Sequence, residues 1–304
     1  MRDDTQSSDS VSVRAAAEVR RWQSEPLPAG LHIVSTPIGT LGDITLRALA
    51  TLARADLICC EDTRHSRTLL SHFGISRPLK ALHDHNEDAE SARIVAMIGE
   101  GRAVALISDA GTPLVSDPGY RLARAVIAAG HTVHAVPGAS AALAALTVSG
   151  LPSDTFVFVG FLSAKEGARR DRLQALLAMP ATLVLYEAPG RLLDLLGELS
   201  GLAGDREVVV ARELTKRFEE VRRGTAQQLI DAFGGTDIKG EIVVLVGPPA
   251  AGITTDADIE AALARALEDM SLRDAARLVA EALGVARSRV YDLGLKAKTG
   301  KGRG

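Results

Sequence analysis

The chain has 304 residues, 46% hydrophobic and 24% charged, which is enough apolar content for one large core or two modest ones and too much for a disordered chain. A formal charge of −3 gives no global sign of a nucleic-acid partner, although a balanced total can hide a basic patch. Every long apolar run is broken by Gly, Pro or charge before membrane length, and the first residues lack the apolar stretch of a signal peptide, so a soluble, cytoplasmic chain with no membrane contact is expected.

Residues 1–29 are rich in Ser, Asp and Arg, show no sustained period and end in "EPLPAG", which reads as a flexible tail. Trp22 is the exception, an aromatic suited to pinning that tail to the body. From Leu31 onward β-rich runs alternate with helical patterns. "LHIVST" precedes "TLRALATLARA", "DLICC" precedes "TRHSRTLLSHF", "AVALIS" precedes "GYRLARAVIAA", and "TVHAV" precedes "ASAALAALTV". That rhythm means a parallel sheet with helices on both faces, an α/β domain over 30–150. The only cysteines, Cys59 and Cys60, are adjacent at a strand end and fit neither a disulfide framework nor a zinc knuckle.

Near "SGLPSDT" the pattern resets. "FVFVGFL", a helix from about Lys165 to Ala178, "TLVLYEA", a helix from Arg191, "EVVVARE" and "EIVVLVG" make a second α/β domain over 151–249. Beyond "GPPAAGITTD" the character is helical only, over 255–298, with 299–304 as a short tail. "SLRDAARLVAEALGVARSRVYDLGLKAK" reads as a helix, a turn at Gly284 and a second helix, which resembles a helix-turn-helix. From Ser271 onward eight Lys or Arg stand against three acids, an excess of five positive charges that would attract a phosphate backbone. A docked hairpin with a solvated charged face is the plainer alternative.

The glycine-rich turns narrow the ligand. No Gly-rich loop is followed by Lys and Ser or Thr, and no G-x-G-x-x-G follows the first strand, so neither a nucleotide triphosphate nor a dinucleotide site is present. In "ISDAGTPLVSDPG", 107–119, Asp109 and Asp117 would repel phosphate but suit a ligand with donors or a positive charge, while Gly and Pro let backbone approach it closely. "VPGAS" offers Ser140 at a helix N-terminus, where exposed N–H groups favour a carboxylate. A flat heterocycle carrying a carboxylate, an amine and a sulfonium matches these features, and S-adenosylmethionine is such a molecule.

The strings "STPIGTLGDIT", "CEDTRHSRTLL", "HDHNE", "SDAGTPLVSDPG", "VPGAS", "YEAPGRLL", "ARELTKRFEE" and "KGEIVVLV" occur in this order. Together they resemble the ribosomal RNA small subunit methyltransferase I family of the tetrapyrrole methylase-like superfamily, class III methyltransferases, over roughly Leu31 to Lys298. The resemblance implies two α/β domains of tetrapyrrole methylase type with S-adenosylmethionine in the cleft between them, a small helical extension and a homodimer. It also implies 2′-O-methylation of a cytidine in the decoding region of 16S ribosomal RNA, with the rRNA or the small ribosomal subunit as partner. Carried over by motif, the cofactor pocket includes Pro37, Thr112, Val115, Ser140, Ala141, Phe161, Tyr186, Leu214 and Gly240. Two positions depart from the family pattern: Gly190 stands where "YEAPGR" usually has His, and Asp84 where Glu is common.

A ribose hydroxyl is a poor nucleophile until it loses its proton, so a base within hydrogen-bond reach is expected. "EDTRHS" places Glu61, Asp62, Arg64 and His65 past a strand, with Arg64 suited to RNA phosphate and a neighbouring acid to the proton. A helix start with acids complementing the dipole is the alternative. Glu187 and Glu213 each end a β-rich run and would line the acceptor side of the cleft or form structural ion pairs, and the candidate catalytic set is Glu61, Asp62, Arg64 and Glu213. His83 and His85 in "HDHNE" lack further ligands, so RNA contact or loop packing is expected there rather than a metal. Two other functions remain open: methylation of a small tetrapyrrole-like substrate, and a helix-turn-helix DNA-binding sensor suggested by "ALGVARSRVY".

Overall fold

The computed structural model describes residues 5–83, 86–249 and 256–300. It divides into two compact units, 1–248 and 249–304.

The first unit opens on α1 (Thr5–Ser24) rather than on a flexible tail. The absence of an apolar period misled the sequence reading, because α1 packs against the next helix, α2 (Leu46–Leu52). Trp22 is half-buried there, and Arg54 Nη1 donates to its carbonyl at 3.3 Å.

Five strands, β1 (Gly30–Val34), β2 (Leu57–Cys60), β3 (Leu79–Ala81), β4 (Ala103–Leu106) and β5 (Val133–Val136), form an all-parallel sheet in the order β3-β2-β4-β1-β5. Successive side chains point to opposite faces, so each strand feeds two cores. On one face Ile58, Cys60, Ala105 and Val34 meet α2 and α3 (Thr63–His72). On the other Cys59, Val104, Leu106 and Leu31 meet α4 (Glu87–Gly99) and α5 (Tyr120–Ala128). The two cysteines thus serve opposite cores as free thiols, and burial pushes Cys59 up to about 12, which makes it a poor nucleophile.

The second sheet has the order β6-β7-β10-β8-β9, built from β6 (Phe156–Phe161), β7 (Thr182–Glu187), β8 (Val208–Arg212), β9 (Glu220–Gly224) and β10 (Ile242–Val246). Only β6 and β7 run parallel; the other pairs are antiparallel. One face packs Leu183, Leu185, Val208, Val210 and Val244 against α7 (Glu166–Leu177), α8 (Leu192–Ala203) and α9 (Ala226–Phe233). The opposite face packs Val184, Val209, Val243 and Leu245 against α6 (Ala141–Ser149). Although α6 follows β5 in sequence, it covers the second sheet, so the lobes interlock just ahead of the expected boundary at residue 150.

Local signals set the helix ends. Thr225 and Gln228 form a reciprocal capping box at the start of α9. Thr225→Ala is expected to lower the unfolding free energy by about 1 kcal/mol in a urea titration; an unchanged midpoint would show that water replaces the cap without loss.

Among the described residues the second unit has three helices, α10 (Asp256–Ala266), α11 (Leu272–Leu283) and α12 (Arg287–Gly300), one more than the hairpin read from sequence. Ile259, Leu263, Ala276, Val279, Val290 and Leu293 form its core. Ser271 caps α11 and Gly284 ends it with a left-handed φ of 60°. Residues 250–255 and, of the expected tail, residues 301–304 lie outside the described residues. Among the described residues no helix is long and apolar enough to cross a membrane.

Candidate functional site

From β1 the chain crosses over β4 to reach β2, and from β4 it crosses over β1 to reach β5. The two connections thus leave the neighbouring strands β1 and β4 in opposite directions along the sheet, and in open α/β sheets ligands bind outside the carboxyl ends of the strands. There the turn after β1 and the turn after β4 bond reciprocally: Thr36 N donates to Gly111 O at 2.8 Å, and Gly111 N to Thr36 O at 3.2 Å. Thr112 Oγ1 lies 3.0 Å from Ser35 Oγ and donates to Ala139 O at 3.1 Å, which fastens the turns after β1, β4 and β5 together.

Above these turns lies a cavity of about 350 Å³, walled on one side by residues 110–117 and 140–141 and on the other by the second sheet. Its size falls within the range of about 300–1,000 Å³ typical of small-molecule sites. Of the nine residues expected to hold the cofactor, Thr112, Val115, Ser140, Ala141, Phe161, Tyr186, Leu214 and Gly240 line it. Pro37 does not; it is buried in the turn, and its neighbour Ile38 reaches the wall. Gly111, Ser116, Ala188, Pro189 and Ile242 line it without having been singled out, and so does Asp117, which the sequence offered only as an acid suited to ligand donors or positive charge.

The crowded turn owes its shape to strain held by close packing. Gly111, Leu114, Ser116 and Gly119 all have positive φ, at 78°, 71°, 67° and 118°. For Leu and Ser such a conformation costs on the order of 1–3 kcal/mol each and persists only where the surroundings enforce it. Gly160 of β6, itself at φ 70°, meets the turn: a Cβ there would stand 2.6 Å from Ser116 Oγ, and the left-handed backbone favours glycine. Asp117, next in the chain after Ser116, lines the cavity.

Three carboxylates share the wall, and their surroundings differ. Glu187 is buried; its Oε1 accepts from Ala188 N at 2.8 Å and from Arg191 Nε at 2.7 Å, while Oε2 has no hydrogen-bond partner among the described residues. Glu241 is 68% exposed and pairs with Lys216 Nζ at 3.1 Å. Asp117 is held at about 6, well above the usual carboxylate range of 3.8, by burial first and by the charges of Glu61 and Asp109, with a hydrogen bond from Ser108 opposing them. Beside them Tyr186 meets Phe158 and Phe161 edge-on at 5.0 and 5.5 Å, and burial raises its phenol. Ser140 caps α6 by position, makes no side-chain cap bond and lines the cavity.

The expected catalytic set is not gathered here. Asp62 caps α3, accepting from Arg64 N at 2.7 Å, and its carboxylate is lowered to about 2 by hydrogen bonds from Arg64. Arg64 is 88% exposed and folds back onto Asp62 at 3.0 Å. Glu61 is exposed and acts on the cavity through its charge on Asp117. Glu213 turns away to a structural pairing: Lys216 Nζ donates to it at 2.9 Å and Glu241 N at 3.0 Å, holding its carboxyl below the ordinary value. Strand-end position alone had suggested these four. Glu187, weighed with Glu213, does reach the wall.

Within "HDHNE", Asn86 and Glu87 make local packing bonds. Asn86 Oδ1 accepts from His83 N at 2.9 Å, and Glu87 Oε1 accepts from Leu122 N at 2.9 Å, tying α4 to α5. Asp84 and His85 lie outside the described residues. Among the described residues no group of three or more His, Cys, Asp or Glu could hold a metal ion. At Gly190 the missing side chain leaves open space next to Pro189 of the wall, with no atom within 4 Å of where a Cβ would stand.

Comparison with known proteins agrees with this geometry. Residues 30–230 match the family of Tetrapyrrole (Corrin/Porphyrin) Methylases, and residues 254–298 match the RsmI C-terminal HTH domain. A ribosomal RNA small subunit methyltransferase I of Mesorhizobium japonicum is 50% identical over 285 residues, covering 92% of this chain and 97% of its own. One from Xylella fastidiosa is 50% identical over 271 residues, covering 87% and 98%. Among solved structures, a uroporphyrin-III-C-methyltransferase from Thermus thermophilus is similar with a TM-score of 0.52 and 25% identity, over 72% of this chain and 94% of its own. With both sheets, the cavity between them and the C-terminal helices accounted for, the chain belongs to the ribosomal RNA small subunit methyltransferase I family of the tetrapyrrole methylases.

Proposed function

We propose that the chain methylates the 2′-oxygen of a cytidine ribose in the decoding region of 16S ribosomal RNA, with S-adenosylmethionine as donor, as a cytoplasmic homodimer. The observation that carries this reading is the near-complete match, at 50% identity, to relatives named as small-subunit rRNA methyltransferases. The cavity suits the donor. It is apolar over Ile38, Val115, Leu214 and Ile242, and Ser140 stands in its wall at a helix start, where a carboxylate is favoured.

When bound, S-adenosylmethionine supplies an activated methyl group. The protein's own contribution is alignment, exclusion of water and management of one proton. Phe161, Tyr186 and the strained turn close the apolar walls. Arg191 holds Glu187 in one orientation through its guanidinium. Asp117 takes the proton of the acceptor hydroxyl. With a pKa near 6 it is mostly ionised at neutral pH and remains basic enough to accept. Glu61, Asp62 and Arg64 belong to the acceptor approach rather than to the proton transfer.

The fold also serves a tetrapyrrole acceptor in other proteins, so the test presents both. Labelled donor is incubated with the protein and either small ribosomal subunits or a uroporphyrinogen. Label in ribosomal RNA is expected; label in the macrocycle alone would overturn the reading.

A further inference from the structure

The segment from Glu213 to Glu219, between β8 and β9, is braced as no ordinary surface loop needs to be. Glu213 and Thr215 are left-handed, at φ 52° and 63°, without being glycine. Glu213 N donates to Glu241 O at 2.9 Å, and Thr215 N to Glu219 Oε2 at 2.6 Å. Across the lobes, Thr40 N donates to Thr215 Oγ1 at 3.1 Å, and the Thr40 hydroxyl donates to the Thr215 carbonyl. Gly39 permits that approach, since a Cβ there would stand 2.6 Å from both Thr215 Oγ1 and Lys216 Cγ. The start of the segment is the cavity wall itself, through Leu214.

What this bracing holds out is Phe218, 67% exposed, the most exposed large apolar side chain among the described residues. The Arg217 guanidinium lies 5.5 Å from its ring centroid. The acids nearby are already engaged: Lys216 pairs with Glu213 and Glu241, Arg212 and Arg222 pair with Glu220, and Glu219 accepts from the Thr215 amide. Arg217 joins none of the ion pairs among the described residues, so its charge is uncommitted to protein carboxylates.

A rigid loop that keeps an aromatic face in water, beside an unspent guanidinium and at the rim of a cavity, has the chemistry of a base-stacking surface. Unpaired RNA bases are recognised by stacking on aromatic rings and guanidinium planes, and the cation adds attraction for the adjoining phosphate. We propose that Phe218 and Arg217 form a platform that stacks an unpaired base of the RNA acceptor, next to the nucleotide whose ribose enters the cavity. They act as positioning residues, not catalytic ones. The inference rests on the RNA reading above and adds to it the part of the surface that aligns the strand.

Steady-state methylation of small ribosomal subunits and calorimetric titration with S-adenosylmethionine, on the full chain, test it together. Phe218→Ala is expected to raise KM for the subunit about ten- to a hundredfold, leaving kcat and donor affinity near those of the parent. Phe218→Trp should restore KM, and Arg217→Ala should raise KM with a shallower salt dependence, by about one phosphate contact. Parent-like KM in Phe218→Ala, with the parent active, overturns the platform alone. A changed oligomeric state in Phe218→Ala also overturns it, by assigning the ring to contact between copies. A parent protein that leaves small subunits unmodified overturns the RNA reading and the platform with it.

Discussion

Asp117→Asn is expected to lower kcat/KM for methyl transfer by about 10²–10⁴-fold while the protein still binds S-adenosylmethionine. The amide matches the carboxylate in size but cannot accept the proton. In the parent the rate should rise with pH through about 6 and level off above it, because only ionised Asp117 is a base; in the variant this limb disappears. The same group leaves a stability signature of defined sign. Its folded-state pKa lies above the ordinary 3.8, so between 3.8 and about 6 the folded chain retains a proton that the unfolded chain has released. Stability therefore falls as pH rises through that window, and Asp117→Asn should melt at a higher temperature than the parent at pH 7. Lost activity with gained stability is the pattern of a strained functional group. A variant with the parent's rate and pH profile would remove Asp117 from the mechanism.

Arg169→Ala is expected to destabilise the protein by about 3–5 kcal/mol. Arg169 on α7 donates to Glu198 Oε1 on α8 from Nε at 3.0 Å and from Nη2 at 2.8 Å, and the two side chains are only 7% and 9% exposed. Removing the guanidinium leaves a buried carboxylate without compensation, and Glu198 Oε2 already lacks a hydrogen-bond partner among the described residues. That orphaned oxygen shows the pair to be incompletely satisfied. Arg169→Met with Glu198→Leu should therefore recover most of the loss, since well-packed apolar groups replace buried ion pairs at little cost. Urea titrations of the single and double variants at pH 7 separate the outcomes. A double variant as unstable as the single one would mean that the pair contributes net attraction rather than fixing the α7–α8 register.

The alternation of strands and helices was legible because buried parallel strands are continuous apolar runs. Of the elements that escaped, α1, β3, α4, β9, α9 and α10, three did so for reasons that can be named. β3 is three half-buried residues at a sheet edge, and β9 carries Glu220, Arg222 and Arg223 on an edge strand, where charge is tolerated and obscures the pattern. α1 lacks an apolar period strong enough to mark it as packed. Thr112 and Gly240 of the cavity wall came from the family resemblance, and Ser140 was marked as well by its own position at a helix start. The acids were not marked in this way. Which carboxylate faces the ligand depends on left-handed Leu114, Ser116 and Glu213, conformations that non-glycine residues do not announce. Asp117 could be recognised as an acid in a crowded turn, yet its raised pKa comes first from burial and then from the charges of Glu61, in another segment, and Asp109, in its own turn.

The most direct test of the central claim compares 16S ribosomal RNA from cells with and without this protein, mapping ribose methylation by nuclease digestion and mass spectrometry. The account predicts one 2′-O-methylcytidine in the decoding region that disappears with the protein and returns with the parent but not with Asp117→Asn. Identical ribose methylation in both RNAs, or a lost methyl that proves to be on a base, would contradict it.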